Sequence, residues 1–239
     1  TMLRGMTDDA SCYNEVIHHY EEHKATSDDP LFIWNVTIQN HGGFEHDDYK
    51  TTVQIKGAEG EYPQAEEYLS LIKESDEDFE ILIDYFSQEE DPVIILFFGD
   101  HWPKLEEEFT QLLLGVDDLD SASTEDTMLQ YEVPYFIWAN YPMETTDQDF
   151  STTSINYLSS LLLHSAWLDS TAYHDFLLDL HATLPVITNV GMIDSIGNFY
   201  RHNNSSTPYS KLLNDYSILQ YNQLFDENGK LDELFTLSD

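Results

Sequence analysis

The sequence contains very few basic residues. Nine lysines and arginines stand against 46 aspartates and glutamates among 239 residues, which gives a formal net charge of −37 at pH 7. A protein with this charge repels a polyanion at long range, so binding to nucleic acid through phosphate contacts is excluded as a function class. The acidic residues are spread over predicted helices and loops, which is typical of a solvated surface. They would attract divalent cations at one place only if they formed a local cluster.

Cysteine is also scarce, since Cys12 is the single one. The sequence therefore has neither a disulfide framework nor a zinc site built from several cysteines. Long apolar runs are missing too: no stretch approaches the roughly 18 residues of a membrane span, and no charged-then-apolar N-terminus indicates a signal peptide. The chain opens at Thr1 with a sequence typical of the interior of a domain, which predicts a soluble piece of a longer protein.

Helical patterns alternate with short apolar runs along the chain. Helices are predicted over residues 7–24, 63–87, 104–114, 153–164, 173–180 and 210–224, and strands over residues 31–38, 51–55, 93–98, 134–139, 185–190 and 198–200. Because strands and helices alternate at crossover lengths, the order predicts an α/β fold with a mainly parallel central sheet and helices on both faces. No internal repeat or linker interrupts the pattern, so residues 1–239 are interpreted as one domain.

Polar side chains follow two of the predicted strands at the point where each strand ends. Asn40-His41-Gly42-Gly43 follows the strand at 31–38, and Gly99-Asp100-His101 follows the strand at 93–98. In open α/β sheets ligands bind beyond the carboxyl ends of the strands, and glycine permits a close approach. A carboxylate beside an imidazole suits Zn²⁺, Mn²⁺ or a similar ion. Two ligands are too few for a complete site, so further ligands must come from another segment.

Ordinary structural roles for the same residues stay open from spacing alone. Asp100 could cap the helix predicted to begin at Lys104, and His101 and His41 could be loop histidines without a ligand. Nucleophilic catalysis by a Ser-His-Asp triad has no support, because the sequence lacks the G-x-S-x-G elbow. A glycine-rich loop that cradles phosphate is also absent.

Several blocks of the sequence resemble the C-terminal half of a bacterial sulfatase-type domain, closest to lipoteichoic-acid-synthase-like enzymes of the alkaline phosphatase superfamily. The resemblance covers most of the chain and keeps the order of the blocks, and its most specific pair is N-H-G followed by G-D-H. The blocks are PLFIWNVTIQNHGGF (30–44), YPQAEEYLSLIKESDEDFEILIDYF (62–86), PVIILFFGDHWPKLEEEF (92–109), VPYFIWANY (133–141), TSINYLSSLLL (153–163) and LPVITNVGMID (184–194).

The resemblance implies a metal site and a substrate contact. It implies that Asp100 and His101 are ligands of a divalent metal, most often Mn²⁺, with Zn²⁺, Mg²⁺ or Ca²⁺ as alternatives. It implies that His41 contacts the phosphate or head group of a small-molecule, lipid or glycan phosphoester. In synthase-like members a threonine nucleophile and a glutamate ligand complete the site, and both lie well upstream of the N-H block.

The chain departs from the family pattern in its first 40 residues. They contain no segment that matches the glutamate or the nucleophile, and the C-x-P-S-R motif of arylsulfatases is absent because Cys12 is followed by Tyr-Asn-Glu. We therefore expect no catalytic nucleophile in this chain. We expect the chain to be part of a metal-dependent phosphoglycerol-type transferase or phosphodiesterase and to be inactive alone. The whole enzyme would act at the extracellular face of a bacterial membrane, to which an upstream region would anchor it. The alternatives are a sulfatase and a degenerate, non-catalytic binding domain of the same fold.

Overall fold

The structure, a computed structural model, describes residues 1–143, 152–201 and 207–237. The chain forms two compact units. The first comprises Thr1–Val93 and Gly99–Ser121, and the second comprises Ile94–Phe98 and Ala122–Asp239. Within the described residues no helix is both long enough and apolar enough to cross a membrane.

The first unit contains a small hairpin and three helices. Their bounds are β1 (Met2–Leu3), β2 (Met6–Thr7), α1 (Asp9–Lys24), α2 (Pro63–Phe86) and α3 (Glu107–Leu114). The hairpin turn is Arg4-Gly5, and both residues have positive φ angles, 50° and 78°. Asp8 caps α1 by accepting a hydrogen bond from the Ser11 N–H at 2.8 Å, as its sequence context predicts.

Helices α1 and α2 pack against each other through aromatic side chains. The ring of Tyr13 meets Phe79 edge to face at 5.6 Å between centroids, and Tyr20 meets Phe86 in the same way at 5.2 Å. Tyr13 and Phe86 are buried. The two helices therefore form the apolar centre of this unit.

The segment between α1 and α2 corrects two predictions. Residues 31–38 were expected to form a buried strand, but they join no sheet, and most of their apolar side chains are exposed, with Phe32 77% and Val36 70% accessible. The expected strand at 51–55 is also absent. A strand that is apolar on both faces needs a sheet to join and a layer that covers each face, and the described residues provide neither for this segment.

The second unit combines helices with two small sheets. Its elements are β3 (Ile94–Phe98), α4 (Thr124–Leu129), β4 (Tyr135–Ala139), α5 (Leu158–Ser165), α6 (Ala172–Thr183), β5 (Val186–Ile187), β6 (Gly191–Ile193), β7 (Phe199–Arg201) and α7 (Ser210–Phe225). Strands β3 and β4 pair antiparallel, with Leu96 opposite Ile137, and β5, β6 and β7 form an antiparallel three-stranded sheet. The pairs formed among the described residues are thus antiparallel, whereas a mainly parallel sheet was expected.

The core of the second unit lies between α5, α6 and β6. Its central side chains are buried almost completely: Leu161, Leu177, Leu180, Leu184 and Met192. The hydroxyl of Tyr157 is buried in the same core and donates to the Leu184 carbonyl at 2.8 Å. This bond satisfies the only polar atom of the tyrosine side chain.

Most predicted helices and strands are confirmed with shifts of one to three residues at their ends. Helix α2 covers all but one of the predicted residues, and β3 and β4 lie inside the predicted strands. The sequence patterns missed the hairpin of β1 and β2, helix α4 and strand β6, which lies between the predicted strands at 185–190 and 198–200. Helix α4 lies partly in an acidic stretch, where Ser123 and Asp126 form a capping box that starts it.

We expect Leu180→Ala to lower the free energy of unfolding by about 2–5 kcal/mol, because the Leu180 side chain is fully buried and its loss leaves a cavity. Leu224→Ala is the matched control, since Leu224 lies on α7 and is 67% exposed. Its effect should stay within about 0.5 kcal/mol. Denaturant unfolding followed by circular dichroism measures both, and equal losses would contradict this description of the core.

Candidate functional site

The predicted substrate residue, His41, lies on an exposed turn. The His41 N–H donates to the Ile38 carbonyl at 3.0 Å, which closes the turn, and Gly43 follows with φ of 103°. Such a φ angle favours glycine, which explains the residue type at this position. The side chain of His41 is exposed. The imidazole ring is therefore accessible to a ligand, while the backbone of His41 is held by its hydrogen bond to Ile38.

Arg4 holds this turn through hydrogen bonds to the backbone carbonyls of the turn. The guanidinium donates to the carbonyl of Gly43 at 2.7 Å and to that of Gln39 at 3.3 Å, with the His41 carbonyl at 3.5 Å. It also lies over the ring of Phe44, 5.2 Å from the centroid. One planar group with several donors thus serves carbonyls on both sides of His41.

The charge of Arg4 is balanced by Glu67 on α2. The Arg4 Nε lies 2.8 Å from Glu67 Oε1, and both side chains are buried, 0% and 3% exposed. The other carboxylate oxygen of Glu67 accepts the His46 N–H at 2.8 Å. A buried ion pair is worth its desolvation cost only when its remaining donors and acceptors are used, and here the loop backbone uses them.

Other polar side chains of α2 hold the rest of the irregular segment. Glu66 accepts the N–H groups of Ile55 and Gly60, both at 2.9 Å. Ser70 accepts the N–H groups of Thr52 and Val53 at 3.0 and 2.9 Å. Backbone groups that have no sheet partner must find other acceptors, and this face of α2 supplies them.

A second polar cluster joins α1 to the start of the His41 turn. The Asp9 N–H donates to Gln39 Oε1 at 2.9 Å, and Ser75 donates its hydroxyl to Asp9 Oδ2 at 2.6 Å. Asn40 donates its side-chain amide to the Ser75 oxygen at 2.8 Å. Burial raises the pKa of Asp9. The hydrogen bonds therefore act against a substantial desolvation cost.

The two predicted metal ligands lie side by side on an exposed segment. The Nε2 atom of His101 is 3.4 Å from Asp100 Oδ2, and the Nδ1 atom of His101 is 2.8 Å from the Trp102 carbonyl. Because a carbonyl can only accept, Nδ1 is the donor in this bond, and Nε2 is the ring nitrogen that faces the Asp100 carboxylate. Two donor atoms about 2.1 Å from one tetrahedral ion lie roughly 3.4 Å apart. The donor types and their spacing therefore fit a divalent cation.

Asp100 does not cap a helix. Helix α3 begins at Glu107 rather than at Lys104, and the first oxygen of the Asp100 side chain accepts the His101 N–H at 2.9 Å. Within residues 1–143, 152–201 and 207–237 no group of three or more histidines, cysteines or acidic residues could hold a metal. The structure thus provides two adjacent candidate ligands.

Glu106 ties the segment that follows Asp100 and His101 to helix α2. One carboxylate oxygen of Glu106 accepts the Gln64 N–H at 2.6 Å, and the other accepts the Ala65 N–H at 3.1 Å. The first turn of α2 has no side-chain cap of its own. Glu106 therefore supplies the acceptors that these N–H groups need, with the favourable charge for a helix N-terminus.

Tyr68 on α2 contacts the loop that follows His41. Its ring meets Phe44, in the loop after His41, edge to face at 5.7 Å between centroids. Burial raises the pKa of Tyr68, and the negative charge of Asp100 adds to the effect. The Asp100 carboxylate is therefore within electrostatic range of the same side chain that the His41 loop packs against.

The sequence patterns did not find Arg4, Glu67 or Glu106. Two signals were available: Arg4 is one of two arginines in a chain of 46 acids, and Glu67, Ser70 and Glu74 recur at helical spacing on α2. Apolar residues also recur at helical spacing on α2 and form a stripe that predicts an amphipathic helix: Leu69, Ile72, Phe79, Ile83 and Phe86. Part of that stripe is not buried, since Ile72 is 39% exposed.

Comparison with known proteins identifies the family. The model of the sulfatase family matches residues 5–169, which is more than half of the chain, so the chain belongs to the sulfatase family. This confirms the sulfatase-type, synthase-like resemblance and the α/β class of the fold.

Two relatives extend this result. A protein of Rhizobium meliloti (strain 1021) assigned to cyclic β-1,2-glucan modification is 26% identical over 235 residues, which is 95% of this chain and 35% of the relative. The structure of Streptococcus pyogenes phosphoglycerol transferase GacH in complex with sn-glycerol-1-phosphate superimposes with a TM-score of 0.60 at 18% identity, over 90% of this chain and 48% of that one. The chain thus spans about a third to a half of the length of these proteins.

We expect Glu106→Ala to destabilise the protein by about 1–2 kcal/mol, because two N–H groups of the first turn of α2 lose their acceptors. Denaturant unfolding measures the loss. Glu80→Ala, an exposed position in the same helix, is the control and should change stability by less than about 0.5 kcal/mol. A Glu106→Ala variant as stable as the control would show that the contact does not hold the two segments together.

Proposed function

We propose that this chain is the metal-holding part of a phosphoglycerol-type transferase or phosphodiesterase. The observation that supports the proposal best is the pairing of Asp100 with His101, in which Nε2 lies 3.4 Å from a carboxylate oxygen. Membership of the sulfatase family and the fold shared with a phosphoglycerol transferase agree with phosphoester chemistry.

Asp100 and His101 would hold a divalent cation, with Mn²⁺ as the first choice and Zn²⁺, Mg²⁺ or Ca²⁺ as alternatives. A carboxylate and a neutral imidazole are ligands that several of these ions accept. When bound, the ion would neutralise charge on the phosphoryl oxygens and lower the pKa of an attacking hydroxyl. The Trp102 carbonyl would keep the His101 ring in the tautomer that binds metal.

His41 would act on the transferring group. Its exposed ring can donate a hydrogen bond to a phosphoryl oxygen or a proton to the leaving oxygen. The nucleophile, a threonine in synthase-like members of the family, would come from a part of the protein outside these 239 residues. It would form a covalent intermediate that a glycerol-like acceptor or water resolves. The chain alone would then turn over no substrate.

The substrate would be a lipid or glycan phosphoester of the bacterial cell envelope, met at the outer face of the membrane. The assigned role of the Rhizobium relative, glucan modification, and the name of the Streptococcus structure, phosphoglycerol transferase, support this class. The net charge of −37 opposes an anionic substrate, so binding would depend on the metal and on local donors.

Sulfate ester hydrolysis is the second candidate, because the matching family model is that of the sulfatases. Sulfate and phosphate esters present similar tetrahedral oxyanions to a metal and a histidine. The nucleophile distinguishes the two reactions, and the C-x-P-S-R motif of arylsulfatases is absent from these 239 residues.

The metal proposal predicts a thermal shift that depends on two residues. Mn²⁺ at about ten times its dissociation constant should stabilise the chain by roughly 1.4 kcal/mol. Asp100→Ala and His101→Ala should each abolish the shift. His19→Ala is the control, since His19 lies on α1 within 4 Å of Glu15 and Glu22 and offers a competing histidine site. A shift lost only in His19→Ala would contradict the proposal.

The activity proposal predicts that the chain with Mn²⁺ hydrolyses neither bis-p-nitrophenyl phosphate nor p-nitrophenyl sulfate above the rate of buffer. Release of p-nitrophenol measures both reactions. The Asp100→Ala variant is the control for contaminating enzymes. Hydrolysis that Asp100→Ala removes would show that the chain carries its own nucleophile, and the ester that is cleaved would identify the chemistry.

A further inference from the structure

We propose that Arg4 is a positioning residue for His41, which sets the backbone of the His41 turn so that its outer side can receive an oxyanion. This inference rests on the proposed function of His41. Arg4 itself cannot meet a ligand, because its side chain is 0% exposed and its charge is paired with Glu67 at 2.8 Å. Any effect on binding must therefore pass through the turn.

The contacts of Arg4 fix the direction of alternate peptide groups. The carbonyls of Gln39 and Gly43 point to the guanidinium, at 3.3 and 2.7 Å, and that of His41 lies at 3.5 Å. In a trans peptide the N–H points opposite to the C=O, and the chain has no cis bond among its described residues. The N–H groups that follow these three carbonyls therefore point away from Arg4.

The Gly42 N–H is the one that matters most, because it belongs to the peptide next to the His41 side chain. Residues 41–43 are exposed, so this N–H faces the open side of the turn. A backbone N–H beside an imidazole is a suitable pair of donors for one phosphate group. Without Arg4 the three carbonyls lose their common donor, and the turn keeps only the contacts of Gln39 and Asn40 with Asp9 and Ser75 and the bond from the His41 N–H to Ile38.

The ion pair offers a direct way to test this without leaving a buried charge alone. Arg4→Gln/Glu67→Gln removes both charges together, and the glutamine at position 4 cannot reach both ends of the turn. The Arg4→Lys variant keeps the positive charge but lacks the planar guanidinium that donates to several carbonyls at once. Arg201→Gln is the matched control, since Arg201 is the other arginine of the chain and contacts Thr124 in the second unit.

The measurement is a titration of the ¹⁵N-labelled chain with sn-glycerol-1-phosphate, followed at the amide signals of His41 and Gly42. We expect Arg4→Gln/Glu67→Gln to raise the dissociation constant by at least about tenfold and Arg4→Lys to restore part of the loss. Arg201→Gln should bind like the parent. Amide signals of Leu71 and Leu177, buried in the two units, report whether each variant is folded.

The outcomes separate this inference from the proposed function. If His41→Ala weakens binding and Arg4→Gln/Glu67→Gln does not, the positioning role is wrong. If the parent shows no saturable shift, or His41→Ala does not weaken it, the proposed role of His41 is wrong. Hydrogen exchange without ligand then decides the role of Arg4. Exchange of the His41 N–H, bonded to Ile38, should rise about tenfold in the double variant but not in Arg201→Gln. An unchanged rate overturns the inference.

Discussion

The structure around the candidate site depends on carboxylates that α2 buries. Between α1 and α2 the chain runs irregularly and joins no sheet, so its peptide groups need partners from elsewhere. Glu66 and Glu67 provide acceptors for three backbone N–H groups, and Glu67 also neutralises Arg4. A helix face that would ordinarily be apolar is therefore polar here, because it stabilises an irregular segment rather than a neighbouring helix.

This arrangement gives both candidate motifs a common support. The His41 turn is held to α2 through Arg4 and Glu67, and the segment after His101 is held through Glu106 at the first turn of the same helix. A carboxylate makes each of these connections. Glu67 is buried in an ion pair with Arg4, and Glu106 lies at a helix N-terminus, where a negative charge is favourable. Part of the strongly acidic composition is thus structural and not only a solvated surface.

The spacing of apolar residues and the positions of proline and glycine predicted the elements that depend on local sequence. Helix α2 begins at Pro63 and β3 covers the apolar run before Gly99, and both follow from local patterns. Asp100 and His101 lie side by side because they are neighbours in the sequence, and their role as metal ligands stays a prediction. The segment at 31–38 failed because its composition is that of a buried strand while its environment depends on residues far along the chain. Arg4 and Glu67 were missed for the same reason, since 63 positions separate the partners of this pair.

The exposed segment at 31–38 bears on how copies of the chain behave toward each other. Phe32 and Val36 are apolar, lie four residues apart in the sequence and are exposed to solvent, and the peptide groups of this segment join no sheet. Such a segment is a template for edge-to-edge pairing. The charge of −37 on every copy opposes that encounter, but a Debye length of about 10 Å at 0.1 M salt confines the repulsion to short range. We therefore expect self-association of the chain through this segment to increase with ionic strength.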